Sequence, residues 1–306
     1  MKAIVIGGSG FIGSYITQEL VKQNISTSVY DNFSTGNIKN LSSISSKIQI
    51  IKADVTDLDQ LKTSMKGMNY VFHLAAQTSV TESLVDPFST NQINNTGTLN
   101  VLWAALQAKV SRVIIASSCS VYGDVHQPPL QESYLPNPKS PYAASKLIAE
   151  ALAESFYHSY GLETICLRYF NVYGLLQRAD SDYAAVIPRF IECYRKKKAP
   201  QIYGSGHQSR DFIHVSDVAR ANIFAAKLSS SIASKNRVFN IGTGYQTSLL
   251  ELLDVIRKQT NYYLEPIFLE SRQGEVKHSC ANIDLAQEKL GFQALVSLEE
   301  GIKTLL

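Results

Sequence analysis

The sequence predicts a doubly wound α/β fold, a parallel sheet covered on both faces by helices, with a smaller, partly interleaved α/β portion beside it. Three observations predict it. Short β-branched runs alternate with helical patterns from residue 2 to residue 168. The runs are apolar throughout rather than alternating, which is how strands buried on both faces read. A glycine-rich turn joins the first strand to the first helix. Right-handed crossovers between parallel strands then give a sheet wound in both directions.

The elements follow in order. Strand candidates are residues 3–6, 26–30, 48–51, 70–73, 112–117 and 164–168. Helix candidates between them are 11–22, 58–65, 87–108 and 141–160. After the first strand comes Gly7-Gly8-Ser9-Gly10-Phe11-Ile12-Gly13. Glycines at 7, 10 and 13 let backbone amides approach a pyrophosphate, and the helix N-terminus that follows favours its charge. Such a loop alone is a weak signal, but here it has the strand before it and the helix after it. Asp31 ends the second strand, where a carboxylate accepts bonds from an adenosine ribose and repels a 2′-phosphate. No arginine follows it, so NAD is favoured over NADP; the bland alternative for Asp31 is a turn residue. Asp54-Val55 after the third strand suits an adenine edge. Leu74-Ala75-Ala76 after the fourth is small enough for a dinucleotide to pass. Together these give a Rossmann-type NAD domain over residues 1–172, to which 212–240 return.

Beyond residue 168 the pattern loosens. Gly-, Asn- and Ser-containing loops fall at 174–182, 204–208 and 242–246, and helices are expected at 184–195, 216–228, 248–258 and 283–290. Residues 173–211 and 241–306 are expected to form the substrate-binding portion.

The chemistry centres on Ser140-Pro141-Tyr142-Ala143-Ala144-Ser145-Lys146. Four residues is about one helical turn, so the phenol and the ammonium share a face. A cation near a phenol stabilises the charged form and lowers its pKa. Upstream, Ser117-Ser118-Cys119-Ser120 closes a buried strand and offers hydroxyls for a proton relay. By itself, Tyr-x-x-x-Lys is common on solvated helices; its surroundings raise it.

Composition excludes several classes. Of 306 residues, 45% are hydrophobic and 18% charged, an ordinary globular balance. A net charge of +3 is too small to argue for nucleic acid or an anionic membrane. The basic run Arg195-Lys196-Lys197-Lys198 reads as a solvated helix C-terminus. The four cysteines are far apart, so neither a disulfide framework nor a zinc site is indicated. Cys119 and Cys166 read as small core residues. His73 reads as a packed or backbone-bonded histidine, and no metal is expected. No signal-peptide pattern or membrane-length apolar run is present, so the cytoplasm is the default.

The ordered motifs resemble the extended short-chain dehydrogenase/reductases, and within them the nucleotide-sugar 4-epimerases. The resemblance spans the chain and rests on the glycine loop, Asp31-Asn32, Asp54-Val55 and His73 to Ala76. It continues through Asn94 to Thr98, Ser118 to Gly123, Tyr142 with Lys146, and Arg168 to Gly174. Arg210 to Val215 and Asn240 to Gly244 complete it. It implies that Tyr142 is the acid/base at the sugar 4-hydroxyl, that Lys146 holds the nicotinamide ribose and lowers the phenol pKa, and that Ser118 bonds the 4-oxygen, assisted by Ser120. It implies NAD contacts from Gly7, Gly10, Phe11, Ile12, Gly13, Asp31, Asn32, Thr35, Gly36, Asp54, Val55, Leu74, Ala75, Ala76, Asn94, Tyr142, Lys146 and Tyr169. On the substrate side it implies Asn171, Arg210 and Arg272 on the diphosphate and Glu275 on the uridine ribose. Tyr203 lies against the base, and Ala185, Val186 and Gln201 line the site. Arginine suits this role because its planar fork meets phosphate oxygens bidentately.

Related dehydratases carry an Asp-Glu pair, and uronate decarboxylases a Glu, where this chain has Cys119-Ser120. With no carboxylate for elimination, epimerisation through a transient 4-keto sugar is expected. Residues 177–188 and 272–279 resemble the branch acting on UDP-N-acetylhexosamines. The residue seven after the arginine walls the pocket at the sugar 2-substituent, and here it is the small Ser279. The expectation is therefore UDP-GlcNAc/UDP-GalNAc interconversion, with UDP-Glc/UDP-Gal as a second pair. Alternatives are a UDP-glucose or UDP-glucuronate 4-epimerase, or a non-catalytic NAD-binding regulator. Against the regulator stand the intact Ser118, Tyr142 and Lys146. The family also implies a homodimer through a four-helix bundle of residues 94–108 and 142–160.

Overall fold

A computed structural model describes residues 1–177, 185–271 and 276–306. The first half alternates as β1 (Lys2–Ile6), α1 (Phe11–Lys22), β2 (Ser26–Asp31), β3 (Ile48–Lys52), α2 (Leu58–Ser64) and β4 (Tyr70–His73). Then come α3 (Val80–Val85), α4 (Pro87–Thr90), α5 (Gly97–Gln107), β5 (Arg112–Ser118), α6 (Pro141–Tyr160) and β6 (Glu163–Tyr169). The later chain contributes β7 (Asn171–Tyr173), α7 (Val186–Arg195), β8 (Gln201–Tyr203), β9 (Ser209–Arg210), β10 (Phe212–His214) and α8 (Val215–Lys227). It ends with α9 (Ser230–Ala233), β11 (Val238–Ile241), β12 (Thr247–Ser248), α10 (Leu249–Thr260), β13 (Ile267–Leu269) and α11 (Leu298–Lys303).

Seven strands form one parallel sheet in the order β11-β6-β5-β4-β1-β2-β3. The strand order reverses between β1 and β4, and the crevice beyond their C-terminal ends is where such sheets bind ligands. The period-2 rule divides β1 between two cores. Ala3 and Val5 pack with Ile16 and Leu20 of α1 and with Val218 and Ala221 of α8. Ile4 and Ile6 pack on the other face with Leu61, Val101, Leu102 and Ala149. A third core joins Tyr173, Phe190, Ile202, Leu252 and Ile302 in the later chain.

The expected helix at 87–108 is interrupted by a π-helical turn at Asn91–Thr96. The tail of the chain departs likewise: residues 286–290 form a π-helical turn where a regular helix is expected. The structure also adds a 3₁₀ stretch at Ile38–Lys47 and the short helices α3 and α11. Short helices of one or two turns carry too little periodicity to be read from sequence.

Candidate active site

The glycine loop occupies the crevice between β1 and β4. Gly7 has φ +81°, and a Cβ there would lie 2.7 Å from Ala75 N. A Cβ at Gly13 would lie 2.1 Å from the carbonyl oxygen of Gly7. The turn therefore tolerates no side chain at either position, and it leaves the first amides of α1 open to a phosphate. Asp31 is buried, and its carboxylate accepts from Ser9 N at 2.9 Å and Phe33 N at 2.8 Å. This pins it beside Gly36, where a Cβ would sit 3.1 Å from Asp31 Oδ1 and 2.1 Å from Ser9 Oγ. Ser9 Oγ is itself buried and has no hydrogen-bond partner among the described residues. The cradle, the fixed carboxylate and the orphan hydroxyl fit a dinucleotide.

The flanking residues refine the sequence reading. Asp54 accepts from Asn32 Nδ2 at 2.7 Å and from Thr56 N and Oγ1. Burial raises its pKa, but the bonds from Thr56 and Asn32 outweigh this and leave it below the usual range. Thr35 is exposed at the crevice-side turn, and Phe11 and Ile12 open α1 half-buried. The Val55 side chain is buried against Gly97, where a Cβ would lie 2.8 Å from Val55 Cγ1. The Asn94 amide bonds Gln77 N, Gln77 O and Ser145 Oγ at 2.8–3.0 Å, so it braces the loop after β4 against α6. Tyr169 is buried, with its hydroxyl paired to Asn222 of α8.

β5 and α6 bring the reactive groups together. Ser140 caps α6 and Pro141 occupies its first turn, where a missing N–H costs nothing. The free amide of Tyr142 donates to Ser83 Oγ of α3 at 3.1 Å. The Tyr142 phenol lies beside Ser118 at the end of β5, near enough for the serine hydroxyl to favour the phenolate. Ser118 Oγ accepts from Ser120 N at 3.2 Å, which polarises its hydroxyl. Lys146 lies with Nζ 5.8 Å from the Tyr142 ring centre and donates to Ala116 O at 2.9 Å. Burial pushes the Tyr142 phenol up to about 12 against the opposing Ser118 hydroxyl, and burial pulls the Lys146 ammonium down to about 8. The lowered phenol expected from Lys146 is therefore not a property of the chain alone; desolvation wins. Ser120 Oγ is buried and unpartnered among the described residues.

Of the substrate-side residues, Ser279 and Arg210 come near the end of this strand. Ser279 is buried beside Cys119, whose thiol also feels the charge of Arg210. Arg210 lies half-buried, donating to Ser209 O at 2.9 Å and Lys277 O at 3.1 Å. Asn171 Nδ2 donates to Asp211 O at 3.4 Å. Tyr203 is half-buried with the Arg189 guanidinium 5.9 Å from its ring centre. Ala185 and Gln201 are exposed and Val186 is half-buried at the start of α7. Arg272 and Glu275 lie outside the described residues, as do residues 178–184.

Two groups have neighbours that sequence reasoning misses. Cys119 is partly buried against the core of Val121, Tyr122 and Phe170, as expected, but it also neighbours Tyr142 and Ser279, and burial pushes its thiol up to about 11. Asp211 is buried and accepts from Thr243 N, Thr243 Oγ1, Gly244 N and Ala281 N at 2.7–3.1 Å. It ties the Arg210 strand to the segment carrying Ser279. Its place in the Arg210 to Val215 motif was visible; its partners were not.

Comparison with known proteins agrees with this geometry. Residues 3–242 match the NAD dependent epimerase/dehydratase family. The chain is 38% identical to a putative UDP-glucose 4-epimerase of Methanocaldococcus jannaschii, covering 98% of this chain and 95% of that one. It is similar to the UDP-N-acetylglucosamine 4-epimerase of Methanobrevibacter ruminantium, solved with UDP-N-acetylmuramic acid (38% identity, TM-score 0.93, 99% and 97% covered). It is equally similar in fold to the UDP-glucose 4-epimerase of Thermotoga maritima, solved with UDP-glucose (35% identity, TM-score 0.93, 99% and 97% covered). With its glycine cradle, buried Asp31 and Ser118–Tyr142–Lys146 cluster, the chain belongs to the NAD dependent epimerase/dehydratase family, as an NAD-using isomerase among the extended short-chain dehydrogenase/reductases.

Proposed function

We propose that the protein is a UDP-sugar 4-epimerase that interconverts UDP-GlcNAc and UDP-GalNAc, with UDP-Glc and UDP-Gal as a second pair. One observation carries the reaction type. Ser118, Tyr142 and Lys146 meet at the end of β5, and the neighbouring carboxylate, Asp211, is saturated by donors. Burial raises the Asp211 pKa against those bonds. What counts against elimination is the absence of a carboxylate at Cys119 and Ser120 beside Ser118, which favours proton and hydride exchange at one carbon.

In this reading Tyr142 removes the 4-hydroxyl proton and later returns it. Ser118, polarised by Ser120 N, donates to the 4-oxygen as charge develops there. Lys146 keeps a positive charge beneath the phenol at neutral pH, since its folded value is about 8. NAD, when bound, supplies a hydride acceptor and a positive charge that favours the phenolate. Gly7, Gly10, Gly13, Asp31 and Gly36 hold it. Asn171, Arg210 and Arg272 anchor the diphosphate while the 4-keto sugar turns over, so the second face receives the hydrogen. Residues 173–211 and 241–306 form most of this nucleotide-sugar portion.

The sugar assignment rests on Ser279, a small residue buried beside Cys119, which in this reading walls the pocket at the sugar 2-substituent. A small wall admits an N-acetyl group that a ring would exclude. The names of the relatives, one N-acetylglucosamine and two glucose 4-epimerases, agree with the class and favour a second reading in which UDP-glucose is preferred. Proton NMR of purified protein given UDP-GlcNAc, UDP-Glc and UDP-GlcA separately decides. No C4 epimer from any of them sinks the enzyme; turnover of UDP-Glc without UDP-GlcNAc sinks the Ser279 assignment.

A homodimer is part of the proposal. Leu99 and Trp103 on α5 and Ile148 and Tyr160 on α6 are 36–54% exposed. Such an apolar stripe on two neighbouring helices suits a bundle with a second copy. The reducing cytoplasm fits the four free thiols.

A further inference from the structure

Between β4 and α6 lies a cavity of about 10 Å³, room for one water, lined by His73, Asn94, Thr98, Ala116, Ser145 and Lys146. His73 is buried, and its tautomer follows from its neighbours. Thr98 Oγ1 donates to Asn94 O at 2.5 Å, so it must accept from His73 Nε2, 3.0 Å away. The Nε2–H tautomer leaves Nδ1 as an acceptor, and Nδ1 is buried with no partner among the described residues. On the other wall Lys146 has three N–H donors, of which one reaches Ala116 O. A lone acceptor and a donor in excess thus border a space of one water.

We propose that the cavity holds one ordered water, which donates to His73 Nδ1 and accepts from Lys146 Nζ, making His73 a positioning residue for the ammonium. The inference rests on the reading of Lys146 as the site's cation. Burial and the Lys146 charge hold the imidazole down to about 3, so it stays neutral and Nδ1 stays an acceptor at working pH. The chain ammonium, water, imidazole, Thr98 hydroxyl, Asn94 carbonyl is then donor to acceptor throughout, and each bond strengthens the next. Its effect is to favour the charged amine, which burial disfavours. The other groups facing Lys146 do not replace it. Tyr142 on its own helix is a neutral phenol, and Cys166 of β6 is held protonated by burial. Glu150, one turn further along α6, is bound to Arg168 and Ser117.

Two measurements on the wild-type NAD-loaded protein test the water directly. A high-resolution crystal structure is expected to show it within hydrogen-bond reach of both Nδ1 and Nζ, and nitrogen-15 NMR is expected to show His73 protonated at Nε2. A dry cavity, or a proton on Nδ1, overturns the proposal. The third test is the pH profile of kcat/KM. His73→Leu removes the acceptor and is expected to move the alkaline limb down by about one pH unit with NAD content unchanged. His73→Gln, whose amide oxygen can accept, is expected to restore it. A purely structural role would lower the rate without moving the limb, and that result also overturns the proposal. If no UDP-sugar turns over, the proposed function fails, while the crystal and NMR results still decide the water.

Discussion

At Tyr142 and Lys146, burial and charge act in opposite directions on each proton. Burial keeps the phenol protonated in the chain alone and brings the ammonium toward neutrality. Replacing Tyr142 by Phe is expected to cost about 10³-fold or more in turnover while bound NAD is retained; absorbance of the released cofactor and epimer NMR check both halves. Ser279→Tyr is expected to lower UDP-GlcNAc turnover by at least about tenfold relative to UDP-Glc, read from the two kcat/KM values. His73 gives a pH prediction for stability. Its folded pKa lies below the ordinary 6.5, so its contribution is complete above about 6.5 and is lost as pH falls toward 3. The thermal midpoint should fall through that window, and His73→Gln should flatten the fall. The residue types at this site were legible because Tyr-x-x-x-Lys places two groups on one helical face. Cys119 and Asp211 were not: their roles depend on Ser279, Thr243 and Ala281, which arrive from far along the chain.

Among elements, the β1–α1 turn and α6 carry the site. Gly13→Ala would press a methyl group to 2.1 Å from Gly7 O. It is expected to abolish NAD retention through gel filtration. Helix α6 is fastened to the sheet by Glu150, which pairs with buried Arg168 at 2.7 Å and accepts from Ser117. Arg168→Met would leave that carboxylate uncompensated, and a loss of about 3–5 kcal/mol in urea denaturation is expected. Helices and strands of the first half were legible because apolar runs and caps repeat at short range. The π-helical turn at Asn91–Thr96 was not, since a single change in helical winding leaves the composition of a helix intact.

At the scale of the whole molecule, one sheet carries both the glycine loop and the Ser118 strand end, and later segments close over its edge. β11 returns from residue 238 to extend the sheet beside β6, so one sheet is built from both halves of the chain. The exposed stripe on α5 and α6 gives the last prediction. Trp103→Glu with Ile148→Glu is expected to convert a dimer to a monomer, measured by light scattering, with the Ser279-dependent sugar preference intact.

By itself the sequence determined the winding of the sheet, the glycine turn after β1 and the one-turn spacing of Tyr142 and Lys146. Those depend on periodicity, turn chemistry and one-turn spacing, all of them short-range. Only the tertiary structure decided what surrounds that pair. It buries the phenol and the ammonium, saturates Asp211, and sets Cys119 against Ser279. It keeps His73 packed, as expected, and supplies Thr98 as the partner of its ring. Desolvation and hydrogen-bond pairing are properties of neighbours in space, and residues 160 apart become neighbours only when the sheet forms (Cys119 and Ser279).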